Sequence, residues 1–260
     1  MSYMFSACID LDCEEIISLY SFNDYINDWD VSNVTNMEGM FRGMHRSGVN
    51  YMSEFDQDIS SWDVSNVENM SYMFERSLFT RDLISWNVSS VINMKSMFNR
   101  AYYFNGDISS WDVLNVEDMS SMFESSDFNH DLNSWDVSKV TTMRRMFSNA
   151  TSFNGDVSSW DVSIVEDMSF LFGGSGGYAG AVAFNQDISS WDVSGVTNMH
   201  SMFRKAHKFN QDISSWDVSN VEDVHDMFYD AYDFNQDISS WDISNVTNMS
   251  NLFKNANALS

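Results

Sequence analysis

The 260-residue chain carries 38 acidic and 13 basic side chains, a formal charge of −25, which excludes nucleic-acid backbones and anionic membrane surfaces as partners because both would be repelled. Its 43% hydrophobic and 15% aromatic content excludes disorder, and no run is apolar and long enough for a membrane span. Two cysteines, Cys8 and Cys13, supply no disulfide framework.

In chain order, Met1-Ser-Tyr-Met-Phe5 repeats Met70-Ser-Tyr-Met-Phe74 and reads as the tail of a repeat. The start has neither the basic residues nor the apolar run of a secretory signal. Phe5-Ser-Ala-Cys8, superficially similar to a lipoprotein cleavage box, is therefore assigned to the same tail. Residues 10–20 place acidic side chains ahead of an apolar stripe, which suits a helix covering the first rung. Residues 1–21 thus form a partial repeat with a capping helix, and 22–260 form the repeats proper.

Nine tryptophans, at 29, 62, 86, 111, 135, 160, 191, 216 and 241, stand 33, 24, 25, 24, 25, 31, 25 and 25 residues apart. A unit of this length buries its apolar face only by stacking on neighbours, the signature of a solenoid. Each tryptophan has a Phe seven residues before it, a Val five after it and a Phe twelve after it. The alternation in Ile213-Ser-Ser-Trp216-Asp-Val218 predicts a short strand with one buried face. Val196, Met199, Phe203 and Ala206 then share the stripe of a short helix, opened by capping boxes such as Ser65–Glu68, Ser163–Glu166 and Ser219–Glu222. The expected fold is a right-handed, leucine-rich-repeat-like α/β solenoid with one parallel strand and one short helix per coil, and with Trp, Phe, Val and Met in the core.

Length varies at one place, between the Phe closing one unit and the Phe opening the next. Insertions at 42–54 and 173–183 protrude there, with Arg46, Tyr51 and Tyr178 as contact residues. Gly173-Gly-Ser-Gly-Gly-Tyr-Ala-Gly180 lacks the Lys-Ser/Thr ending of a phosphate loop. After the last repeat, Ala258-Leu-Ser260 provides no cover, so the C-terminal end is expected to contact another domain, a partner or a second copy.

Two acidic columns follow from stacking. One holds Asp30, Asp63, Asp112, Asp136, Asp161, Asp192, Asp217 and Asp242, each directly after a tryptophan, and is the candidate binding face. The other lies four residues before the tryptophan and includes Asp107, Asp131, Asp156 and Asp187, the weak candidates for a cation such as calcium. Like charges one rung apart call for hydrogen bonds from serines and backbone N–H groups, raised pKa values, or bound divalent ions. The spacing matches neither an EF-hand nor a glycine-rich calcium repeat, and no cofactor is expected otherwise. Acids repeated in nearly every rung also argue against an enzyme, because paired catalytic carboxylates need different environments.

The run Phe-Asn-x-Asp-Ile-Ser-x-Trp-Asp-Val-Ser-x-Val-x-x-Met-x-x-Met-Phe, nearly intact at 209–228 and 234–253, resembles the repeat of BspA-like leucine-rich-repeat surface proteins, a group that includes mycoplasma surface lipoprotein repeats. The resemblance covers 22–257 and implies a cell-surface or extracellular scaffold for adhesion, binding a protein or glycan without catalysis. The alternative expectation is a structural component of a virion or filament, assembled by docking of solenoid ends.

Overall fold

The structure, a computed structural model, describes residues 20–46 and 48–256. The tail at Met1–Phe5, the expected capping helix apart from Tyr20, and Ala258–Ser260 lie outside the described residues. Nine coils stack in sequence order, each centred on one tryptophan. A column of eight single-residue parallel bridges links them, from Asn36↔Asn69 through Asp118↔Thr142 to Asp223↔Asn248. One apolar core runs continuously from Ile26 to Trp241.

The expected helix is absent: the described residues from 21 to 256 contain none, and the only strands are β1 (Met44–Arg46) and β2 (Val49–Tyr51). The reason lies in the backbone ten residues after each tryptophan. That slot is left-handed in all nine coils, from Gly39 (φ 60°) and Tyr72 (60°) to Asn251 (55°), and a helix needs unbroken right-handed residues. The segment folds instead as overlapping tight turns, with the N–H groups of Met73 and Glu75 bonding to the carbonyls of Met70 and Tyr72. The intervening N–H groups of Met70, Tyr72, Phe74 and Arg76 point along the stack to Asn93, Lys95, Met97 and Asn99 of the next coil, at 2.8–3.0 Å. Of these six donors two close turns and four join coils. Val196, Met199, Phe203 and Ala206 are buried as expected, but on this turn ladder.

The expected strand is also a turn. Trp216 N–H donates to Ile213 O at 3.2 Å and Val221 N–H to Val218 O at 2.9 Å, so Ile213–Val218 spans one turn and opens the second. Ser65, Ser163 and Ser219 occupy that second turn rather than capping a helix, because their N–H groups bond to Asp63, Asp161 and Asp217. The Phe, Val and Met repeat thus specifies which side chains point inward, while pairing between coils falls seven residues after the tryptophan, inside the segment that looked helical.

Side chains hold the coils together where backbone pairing is sparse. Each tryptophan from Trp62 to Trp241 donates its indole N–H to a carbonyl three residues before the preceding tryptophan, at 2.9–3.3 Å. Asparagine does the same outside the core: Asn105, Asn129, Asn154, Asn185 and Asn210 each accept the N–H of the equivalent residue one coil on. Serines before the tryptophans, such as Ser85, Ser159 and Ser240, donate to carbonyls of the coil behind. The closing and opening phenylalanines stack at 3.8–4.3 Å, as in Phe41–Phe55, Phe74–Phe79 and Phe172–Phe184.

Trp160 is 3% exposed, stacks on Trp191 at 6.2 Å and donates to Leu132 O at 2.9 Å. Trp160→Ala is expected to cost about 3–5 kcal/mol in urea unfolding. Trp160→Phe keeps a ring but removes the indole bond, leaving Leu132 O with the Trp135 N–H at 3.0 Å, at about 0.5–1.5 kcal/mol. Exposed Ser159→Ala should cost less than about 0.5 kcal/mol, water replacing its bond to Asn133 O. Equal losses in Trp160→Ala and Ser159→Ala would contradict the inside–outside assignment.

Candidate functional site

All eight aspartates of the candidate binding face, from Asp30 to Asp242, are exposed in one column. Their Oδ1 atoms point back to the chain: Asp30, Asp63, Asp192, Asp217 and Asp242 accept the N–H of the serine two residues on at 3.0–3.1 Å, as do Asp136 and Asp161. Leu114 supplies that N–H to Asp112 at 3.2 Å. The second acidic column uses the same device at Asp107, Asp156 and Asp187, bonded to Ser109, Ser158 and Ser189, while Asp131 accepts Asp156 N–H at 2.9 Å. Of the three remedies for stacked charge, hydrogen bonding is in place. Among the described residues, no three His, Cys, Asp or Glu side chains converge on a point that could hold a metal ion.

These bonds outweigh repulsion between rungs. The serine hydroxyl and then its N–H hold Asp63, Asp192, Asp217 and Asp242 below the ordinary carboxylate range, against the opposing Asp217 beside Asp192. The serine N–H acts first at Asp107, Asp156, Asp187 and Asp212. Each shifted aspartate moves the same way. Glu75 moves upward instead: burial outweighs Arg42 at 2.6 Å and Arg76 at 3.4 Å.

The insertions diverge. In the first, β1 and β2 form an antiparallel hairpin that pairs Met44 with Tyr51, and Gly48 takes φ 82° at the bend. Arg46 lies in β1, and Tyr51 stacks on Tyr20 at 5.8 Å. The second insertion is tied at both ends: Gly174 N–H donates to Arg204 O, Ala181 N–H to Phe172 O, and the Arg204 guanidinium to Gly174 O, all at 2.7 Å. Gly174 and Gly180 fit only without a side chain, since a Cβ would lie 2.5–2.6 Å from the Tyr178 and Arg204 carbonyls.

That anchoring presents Tyr178, 68% exposed, over the corners of three earlier coils. A cavity of about 300 Å³ forms there, lined by Arg100, Tyr102, Tyr103, Asp127, Asn149 and Tyr178 among others. Tyr102 and Tyr103 are 40% and 62% exposed. Asn149 binds the loop to the stack: its Oδ1 accepts Ser175 N–H at 2.9 Å, and its amide donates to Ser125 and Ser175 hydroxyls at 3.3 and 3.2 Å. The sequence pointed to Tyr178 but missed Tyr102, Tyr103 and Asn149. The available signal was two adjacent tyrosines in a corner where the next coils carry Asp127 and Thr151. Tyr51 is not brought to this cleft.

These features define a tandem-coil repeat protein with a nearly invariant stack and a diversified edge. A family model described as Mycoplasma protein of unknown function, DUF285, matches residues 1–123, 76–178 and 175–260, and the chain belongs to that family. No curated protein and no solved structure shows significant similarity to it. The leucine-rich-repeat architecture with a helix per unit is overturned by the turn ladder.

Carboxylates held low by folded-state bonds stabilise the fold above their ordinary pKa, near 4, and that contribution disappears as pH falls through the depressed values. The melting temperature should therefore fall as pH drops from about 5 to about 2. Asn87 shows that an amide can make the same bonds, accepting Ser89 N–H at 3.2 Å and its hydroxyl at 2.7 Å. The combined Asp192→Asn, Asp217→Asn and Asp242→Asn variant should fold normally at neutral pH and lose stability less steeply in acid. An unchanged acid slope would disprove the assignment.

Proposed function

We propose that the chain is a non-catalytic recognition scaffold, displayed on a cell surface, whose contact surface is the edge carrying the inserted loop and Tyr102, Tyr103 and Tyr178. The observation that carries this reading is the exposure of three tyrosines around one cavity in a protein whose other large aromatics are mostly buried. Exposed aromatic rings held on a rigid frame offer contact area at low entropic cost, as recognition surfaces require. Surface display and adhesion are supported by the resemblance of the repeat to BspA-like surface proteins. The uniform downward shift of the affected aspartates supports a role without catalysis.

The intact chain, immobilised, is expected to retain a protein or glycan from extracellular material. The combined Tyr102→Ala, Tyr103→Ala and Tyr178→Ala variant should lose it, while the aspartate-to-asparagine variant should keep it. Retention that follows the aspartates instead would move the contact surface to the acidic columns.

A second reading, assembly through a coil end, is favoured by the last described coil. Ile243 and Met249 are 48% and 45% exposed there, beside a cavity of about 330 Å³ lined also by Trp241, Val246 and Phe253. Sedimentation over a concentration series should then show association that Ile243→Asp abolishes. A monomer at high micromolar concentration would remove this reading.

A further inference from the structure

We propose that the tyrosine cleft between the second insertion and the corners of the preceding coils is a saccharide site for a neutral pyranose unit of a glycan. The inference rests on the reading of this edge as the recognition surface and names its ligand. The cleft combines two kinds of group that a sugar ring uses together. Its tyrosine rings present electron-rich faces to which the C–H face of a pyranose is drawn, and their exposure leaves those faces accessible. Arg100 and Asp127 supply planar fork-shaped donors and acceptors that match adjacent hydroxyls, and neither makes an ion pair among the described residues.

The polar groups that are spent are also informative. Asn149 uses both ends of its amide to fix Ser125 and Ser175, so it holds the walls of the cleft and leaves recognition to its neighbours. Tyr178 N–H bonds to Ser175 O at 3.1 Å, which sets the tyrosine on a tight turn rather than on a free tip. A preformed cavity of about 300 Å³ with a few polar groups around aromatic walls lies at the small end of small-ligand sites.

Two competing ligand classes fit less well. An extended peptide would add a strand to an open edge, but Arg100 N–H is committed to Glu124 O at 2.7 Å and Ser125 N–H to Ser148 O at 2.8 Å. An anionic glycan would meet one arginine in a molecule of net charge −25, and long-range repulsion opposes its approach. A neutral sugar meets neither obstacle.

The test uses the full chain and a panel of neutral trisaccharides built from glucose, galactose, mannose and N-acetylhexosamines, with sialylated and sulfated counterparts alongside. Saturable binding of at least one neutral sugar is expected by ligand-observed NMR. It should weaken about tenfold in Tyr178→Ala and in Tyr103→Ala. Tyr25→Ala, which removes a ring 62% exposed outside this cavity, should leave it unchanged. The replaced side chains are surface groups, and unchanged melting temperatures verify folding in each variant. No neutral sugar binding at about 10 mM, a preference for the anionic sugars, or binding indifferent to Tyr178 would each overturn the proposal. If no sugar binds but an immobilised protein partner is lost with the three tyrosines, the saccharide site fails while the recognition reading stands. If neither kind of ligand depends on the tyrosines, both fail.

Discussion

The stack depends on the indole N–H. The carbonyl three residues before each tryptophan closes a turn by accepting that tryptophan's own N–H, as Leu132 O does from Trp135 at 3.0 Å, and its second lone pair faces the next coil. Trp62 and its counterparts bring a donor into the core, deliver it to the carbonyl of the coil behind at 2.9–3.3 Å, and fill the space between with a ring. No other side chain combines that volume with a donor and no acceptor. Phenylalanine at this slot would pack, tyrosine would direct its hydroxyl elsewhere, and neither would fix the register between successive coils.

With that link set, the remaining polar groups fall into two directions of work. Asparagines of the Phe-Asn dipeptide and the serines before each tryptophan reach across to neighbouring coils, as Asn129 does to Asn154 and Ser159 to Asn133. Most aspartates of the two columns reach within their own coil, closing turns on the serines two positions on, while Asp131 reaches to Asp156 of the next. The acidic composition is thereby explained in part as turn chemistry: a carboxylate that accepts a local N–H tolerates a like charge one rung away.

Much of this was legible in the sequence, because burial has a fixed phase. Phe, Val and Met at constant distances from tryptophan predicted the core, the parallel stacking of coils and the single site of length variation. The local backbone was not legible. Inward residues at spacings of three, four and three, as at Val196, Met199, Phe203 and Ala206, satisfy both a helix and a chain of overlapping turns, so periodicity could not separate them. The deciding quantity is the sign of φ ten residues after tryptophan, and that slot holds tyrosine, serine, arginine, phenylalanine, aspartate and asparagine in different coils. Only Gly39, and to a lesser degree Asn251 and Asp226, hint at it by residue type. The tyrosine cleft was half legible for a related reason. Tyr178 stood out in a glycine-rich insertion, whereas its proximity to Tyr102 depends on three-dimensional stacking over some 75 residues of chain.

The phenylalanine pairs at the corners have an evolutionary consequence. Phe41 and Phe55, separated by thirteen residues, meet at 3.8 Å, and so do Phe98 and Phe104, separated by five. The core therefore does not register how much chain passes outside the pair, and lengthening that chain costs little because closure entropy grows only with the logarithm of its length. Each corner is a position where new sequence can be spliced in and selected for what it touches, while the phenylalanines on either side keep the interior unaware of the change.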